Sequence, residues 1–157
     1  TAGRPPRMRA GGARSNFPAS RFIKGRRNAM AQIGYVCLGS NDFDRACSFY
    51  DSLTAELGGK RLFPTPHGQM YRLGSGAMIM VTRPYNGEAS HPGNGTMLAI
   101  NVDEQTDVPR IYEKALSLGA TCEGKPGARG AFGDFAYFRD LDGNKIAVFW
   151  TERQKKQ

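Results

Sequence analysis

His67, in Pro64-Thr-Pro-His-Gly, and His91, in Ser90-His-Pro-Gly, are the two imidazoles of the chain, and both lie where proline and glycine predict loops. Neither is assigned a metal, because loop imidazoles are more often solvated than ligating. Asp140-Leu-Asp-Gly-Asn144 has the look of a calcium loop. Its glycine comes two positions early, however, and Thr151 stands where that loop needs a bidentate Glu. A turn is expected there. Cys37 is a candidate nucleophile, but no histidine falls near it in the expected fold and burial would raise its pKa. Tyr35 can donate a proton or orient a carbonyl, and as a buried hydroxyl it needs a partner. Arg129, in the loop Gly124-Lys-Pro-Gly-Ala-Arg-Gly130, can grip a carboxylate or phosphate through two parallel bonds, or stand solvated at the surface. There is no Ser-His-Asp pattern, no phosphate-cradling glycine loop and no pair of acids with a placed partner. No catalytic residue is assigned.

The elements that must position these groups form a repeat. Strand residues Tyr35 and Leu38 correspond to Met97 and Ile100, and helix residue Tyr50 corresponds to Tyr112, all at an offset of 62. An offset kept through a strand and the helix after it predicts a duplicated unit whose apolar faces bury one another. Ile33–Gly39 reads as a strand with Tyr35 and Cys37 on one face, Val36 and Leu38 on the other. Ser40 or Asn41 offers a cap for a helix with an apolar stripe at Phe43, Ala46, Cys47, Tyr50, Leu53 and Leu57, closed by Gly58. Strands follow over 61–63, 69–73 and 77–81, broken at Pro64, Pro66 and Gly74-Ser75-Gly76. The second unit opens with a strand over 95–102. Asp107 caps its helix, with Pro109 in the first turn and a stripe at Val108, Ile111, Tyr112, Ala115 and Leu116. A short strand over 121–123, a loop over 124–130, and a hairpin of 135–139 and 145–150 around Asp142-Gly143 complete it. The fold class expected is α+β, two βαβββ modules over 31–82 and 95–151, joined by a linker over 83–94.

Charge separates the start of the chain from this body. Residues 1–29 carry eight Arg and Lys and no acid, which equals the whole net charge of +8. The body from residue 30 to 157 is neutral and gives no electrostatic footprint for nucleic acid. The basic leader reads as an upstream extension or tag ahead of Met30, an organellar targeting segment, a nucleic-acid-binding arm or a tail without a role. In each case it is expected to be disordered alone. No apolar run approaches the roughly 20 residues of a membrane span. Three cysteines without a C-x-x-C spacing favour a reducing, cytoplasmic setting over a disulfide framework.

Phe138-Arg-Asp-Leu-Asp-Gly-Asn-Lys-Ile146 resembles the "F-x-D-P-D-G-N-x-I-E" ending of the vicinal oxygen chelate superfamily, which contains glyoxalase I, bleomycin-resistance proteins and extradiol dioxygenases. Gly34-Tyr-Val-Cys-Leu-Gly with Asp42-Phe-Asp-Arg-Ala-Cys-Ser-Phe-Tyr50 resembles its "H-V-x-L…D-x-x-x-S-x-x-F-Y" opening. Arg83-Pro-Tyr-Asn-Gly-Glu-Ala and Gly93-Asn-Gly-Thr-Met97 narrow the resemblance to an uncharacterised glyoxalase-like branch. The resemblance implies curved sheets around a cavity and, in the metal enzymes, a Lewis-acid metal held by one leading-strand and one closing-strand residue of each half. Carried over by motif, those positions are Tyr35, Met80, Met97 and Ala147. None offers the imidazole or carboxylate that divalent metals of this class need, so no metal cofactor is expected.

Without a metal the four positions become an apolar lining. Strand alternation adds Cys37 and Phe149. A two-residue turn at Asp142-Gly143 would set Phe138 opposite Ala147 and add it too, with Arg129 at the mouth. The expectation is a protein, dimeric by the resemblance, that binds a small organic molecule without metal. A glyoxalase-type lyase, isomerase or dioxygenase with a displaced metal is the alternative, and a dimeric scaffold with a closed cavity is a third.

Overall fold

The computed structural model describes residues 32–74 and 76–152. The expectations for the leader therefore lie outside the described residues. Module 1 runs β1 (Val36–Gly39), α1 (Phe43–Glu56), β2 (Lys60–Pro64), β3 (Gly68–Arg72) and β4 (Met78–Thr82). Module 2 repeats the order with β5 (Leu98–Asn101), α2 (Asp107–Ser117), β6 (Thr121–Ala128), β7 (Asp134–Arg139) and β8 (Lys145–Trp150). Each module makes a four-stranded sheet, β1-β4-β3-β2 and β5-β8-β7-β6, in which the leading strand lies parallel to the closing strand. The crossover from β1 to β4 passes through a helix and a meander, the kind of long connection a parallel pair requires. The two βαβββ modules expected from the 62-residue offset are present, with β1 and β5 in matching places.

The helices bury the stripes that their spacing predicts. Ala46, Cys47, Tyr50 and Leu53 of α1 and Val108, Ile111, Tyr112 and Ala115 of α2 are buried, and one continuous core joins both modules. Each large apolar side chain taken out of water contributes about 1.5–3 kcal/mol. Gly58 follows α1 at φ +67°, a left-handed stop that L side chains resist.

Both predicted helix starts need correction. The cap of α1 is Asp42, whose Oδ1 accepts from the Arg45 backbone N at 3.2 Å. Asn41 instead stitches the linker down, donating Nδ2 to the Ser90 carbonyl at 3.0 Å while its Oδ1 accepts from Ser90 N at 2.7 Å. At α2, Asp107 is the first helical residue rather than the cap, and Thr106 occupies the cap without a side-chain bond. The second strand of module 2 is also longer than expected. β6 continues through Gly124-Lys-Pro-Gly-Ala128, because a bulged edge strand has no neighbour that needs the missing Pro126 N–H.

The two modules are locked by one loop. Arg139 pairs with Lys145, so the β7–β8 connection is the five residues Asp140–Asn144 rather than a two-residue turn. Inside it, Asp140 is buried, and its Oδ1 accepts from the backbone N of Asp142 at 3.0 Å and of Asn144 at 2.8 Å. Its Oδ2 accepts from Asn144 Nδ2 at 2.8 Å and from the Tyr50 hydroxyl of α1 at 2.6 Å. Asn144 Nδ2 also donates to the Gly39 carbonyl at the end of β1, and the Asn41 backbone N donates to Asp142 Oδ1 at 2.8 Å. Gly143 sits at φ +86°, which the loop needs and a side chain would strain. A buried carboxylate with four donors is stable, and the loss of one donor leaves it short.

Tyr50→Phe removes only the hydroxyl and should cost about 1–3 kcal/mol of unfolding free energy, measured by urea denaturation. An unchanged midpoint would show that the lock carries no load. Burial, then the neighbouring Asp140 carboxylate, raises the Tyr50 phenol well above its ordinary value, and burial raises Tyr71 as well. A phenol held neutral in the fold contributes stability that is complete below the unfolded value near pH 10 and is lost as pH rises above it. The urea midpoint should therefore begin to fall at about pH 10 and keep falling as the pH rises further, and fall less in Tyr50→Phe. A midpoint flat over that rise would contradict the assignment.

Candidate functional site

Each sheet has one face under its helix and one face free of helix, and the register decides which residues lie on which. In module 1, Leu38, Ile79, Val81 and Tyr71 lie under α1; the Tyr71 hydroxyl donates to the Cys47 carbonyl of that helix at 3.2 Å. The opposite face carries a transverse row of Cys37, Met80 and Met70 across β1, β4 and β3. In module 2, Ile100, Val148, Ala136, Ile146 and Phe138 belong to the shared core. The helix-free face carries the row Ala99, Ala147 and Tyr137, with Asn101, Phe149 and Phe135 beyond it.

The eight predicted lining residues therefore divide. Tyr35, Cys37 and Met97 are exposed, at 53% for Tyr35 and 43% for Met97. Met80 and Phe149 share those faces and are half-buried. Phe138 does not belong with them. It pairs with Ile146 and is fully buried in the core, because the five-residue loop shifts the hairpin register by one and sends Phe138 to the other face. Tyr137 takes the place opposite Ala147. Ala147 lies on the helix-free face but is 0% exposed, between Lys145 and Phe149 on β8 and opposite Tyr137. Arg129 points inward to its own loop. Nη1 donates to the Gly127 and Ala128 carbonyls and Nη2 to the Lys125 carbonyl, while the guanidinium stacks 5.6 Å from the Tyr137 ring centre.

An aromatic stack lies outside what strand alternation predicts. Phe135 and Phe149 lie with centroids 4.9 Å apart and planes within 9°, and Tyr137 stands 6.1 Å from Phe135 at 17°. Lys145 Nζ lies 5.5 Å from the Tyr137 ring centre, on the strand next to it. Gly124 lets that ring lean over β6, since a Cβ there would meet Tyr137 Cδ2 at 2.8 Å. Lys145 and Arg139 both pair with Glu123, and these pairings lower the Glu123 carboxyl against the opposing effect of its burial. The alternation of Phe135 and Tyr137 with Lys145 and Phe149 holds this signal, but only the correct register places the four on one face.

The inherited metal positions do not fit a metal. Opposite pairs in the register are Cys37 with Met80 and Ala99 with Ala147, so Tyr35 and Met97 precede the rows that the closing strands complete. The Met80 sulfur lies 3.8 Å from the Thr65 hydroxyl. Among the described residues no three His, Cys, Asp or Glu side chains come together to hold an ion. His67 packs against Tyr85 at 5.2 Å. His91 is exposed in the linker. The Asp140 loop is a turn, its carboxylate already filled by four donors. Surrounding protein raises the Cys37 thiol above its ordinary value, which keeps it protonated and a weak nucleophile.

A recess of about 640 Å³ opens beside the β1 and β5 edges, with Ala99 and Asn101 of β5 in its lining. Leu57, Leu73, Leu98 and Ile111 line it, and Arg110, paired with Glu56 and Asp107, stands at its rim. None of the eight predicted residues borders it.

Filling the position of Ala147 should reveal the packing directly. Ala147→Phe should cost about 1–3 kcal/mol in urea denaturation through overpacking, and Phe138→Ala about 3–5 kcal/mol through the cavity it leaves. A neutral Phe138→Ala would contradict the register.

A family model described as the Glyoxalase/Bleomycin resistance protein/Dioxygenase superfamily matches residues 32–148. The fold is similar to a glyoxalase/bleomycin resistance protein from Albidiferax ferrireducens T118, with a TM-score of 0.68, 30% identity, and coverage of 75% of this chain and 97% of that one. It is also similar to a glyoxalase-related enzyme from Fulvimarina pelagi, at TM-score 0.64, 23% identity and 78% and 89% coverage. A point mutant of the fosfomycin resistance protein FosX from Listeria monocytogenes, complexed with Mn(II) and 1S,2S-dihydroxypropylphosphonic acid, has a TM-score of 0.62 at 16% identity, covering 80% of this chain and 95% of that one. A search of curated proteins finds no match. Repeat, topology and matched length together place the chain in the glyoxalase/bleomycin resistance/dioxygenase superfamily.

Proposed function

We propose that the protein binds a small organic molecule against the helix-free faces of its two sheets, without the divalent metal centre of the superfamily's enzymes. The observation that carries this reading is the exposure of apolar and aromatic side chains beside those faces, Tyr35 and Met97 immediately ahead of the leading strands above all. An apolar sheet face left open is costly unless a ligand or a partner covers it. Cys37 and Met80, over the buried Met70, supply a soft, adaptable surface on one module, and the Phe149–Phe135–Tyr137 stack a rigid one on the other. A ligand there would be oriented by few polar groups, as is usual for such sites. The donor set speaks against a displaced-metal lyase or dioxygenase, since neither histidine joins a ligand cluster among the described residues.

A second copy of the chain closes the site in this reading. β1 and β5 are edge strands, each hydrogen-bonded on one side within its sheet, and unpaired edges beside an apolar face favour association. The full burial of Ala147 favours the scaffold alternative at that one position, and the ligand is accordingly assigned to the exposed rows around it.

Elemental analysis of purified protein should find well under one Zn, Ni, Fe or Mn per chain. One tightly held ion lost in His67→Ala or His91→Ala would contradict the reading. In a thermal-shift panel of small organic compounds, run with and without Mn(II) and Zn(II), stabilisation should be independent of metal. It should vanish in Cys37→Trp and persist in Glu113→Ala. Stabilisation only in the presence of metal, or none by any compound, would overturn it. Light scattering should give a dimer, shifted towards monomer by Met97→Asp.

A further inference from the structure

We propose that the helix-free face of module 2 takes a planar aromatic carboxylate, stacked on the uncovered side of Phe149; this rests on the small-molecule reading above and names its ligand class. The separation of the Phe135 and Phe149 centroids, 4.9 Å, matches the spacing of neighbouring strands, about 4.7–4.9 Å, and their planes differ by only 9°. Rings related in that way stand upright on the sheet with their faces turned along the inter-strand direction. Phe135, on β7, covers one face of Phe149, so the other face is turned towards β5. There the side chains are short: Asn101 is the partner of Phe149, and Ala99, beside Ala147, is exposed. The next step of the stack lies over Asn101, with Ala99 and Ala147 one pair along the strands. Offset parallel stacking adds attraction beyond the area it buries, and only a flat ring gains it.

Charge selects the substituent. Around Tyr137 stand three cations, Arg129 at 5.6 Å and Lys145 at 5.5 Å from its ring centre, with Arg139 beside them on β7. One carboxylate, Glu123, answers both Arg139 and Lys145. The Arg129 donors go to the neutral carbonyls of Lys125, Gly127 and Ala128, which leave its charge uncancelled. The Tyr137 end of the aromatic surface therefore carries an excess of positive charge, which favours an anionic substituent directed along the stack towards it over a neutral or cationic one. Module 1 offers no equivalent; its matching face is Cys37, Met80 and Met70.

The test compares 2-naphthoate with 2-naphthalenemethanol, which lacks the charge, and cyclohexanecarboxylate, which lacks the flat ring, by calorimetry and ligand-observed NMR on the full chain. Naphthoate should bind with its ring protons shifted upfield by Phe149, about tenfold more tightly than either analogue. Phe149→Leu should weaken it by about tenfold and abolish the upfield shift. Because Phe149→Leu disturbs packing, Ala99→Leu provides the second variant: it crowds the stacking position from an exposed site one pair along β5, and binding should weaken while the melting temperature holds. Tyr85→Ala, an exposed ring in the linker, should change nothing. Equal affinity for cyclohexanecarboxylate, indifference to Ala99→Leu, or no binding of naphthoate would each overturn the proposal. If other compounds still stabilise the protein and lose that effect in Cys37→Trp, the ligand class alone is wrong. If none does, the small-molecule reading falls with it.

Discussion

The Asp140 carboxylate holds the two halves of the molecule in register. It closes its own hairpin loop through two backbone amides, and it reaches across to the Tyr50 hydroxyl on the helix of the other module. Asn144 extends the same link to the last residue of β1. A carboxylate buried in this way is stable only while every donor stays in place. Any tilt of module 2 against α1 would break several bonds at once. The position of β1, and hence of the rows that begin at Cys37 and Ala99, follows from that link. The acidic motif at the end of the chain is therefore architectural here rather than catalytic.

With the modules fixed, the chemistry of each helix-free face is set by side chains that the core does not use. Module 1 presents sulfur and small residues, and module 2 presents stacked rings with an excess of cations. Among the described residues, the carboxylate next to these faces, Glu123, is already paired with Arg139 and Lys145, and burial raises the Cys37 thiol above its ordinary value. In the proposed reading, such surfaces would recognise shape and flatness, with charge as a second filter.

The duplicated architecture was legible because periodicity survives in strands and helices alike: Tyr50 and Tyr112, 62 residues apart, are both buried. The face of each residue was legible only where the register was. Alternation separated Cys37 from Leu38 correctly, since β1 runs straight into its pairing with β4. It misplaced Phe138, because Asp-Gly suggests a two-residue turn while Asp140 and Asn144 join the loop through side-chain bonds that a strand pattern does not contain. The Gly-Pro run at 124–128 resembled a loop for a similar reason, as an edge strand tolerates residues that a central strand excludes. The Tyr50–Asp140 bond spans 90 positions, and nothing local announces it. Of the positions inherited from the superfamily pattern, Met80 and Ala147 stand in the helix-free rows, while Tyr35 and Met97 precede the leading strands.

The most direct test of the account is an NMR titration of protein labelled at its methionine and alanine methyl groups, using compounds that raise the melting temperature. The account predicts shifts at Met80 and Met97, beside the helix-free faces of the two sheets. Shifts confined to Ala77, Met78 and Ala99, which line the recess at the β1 and β5 edges, with Met80 and Met97 unmoved, would contradict it.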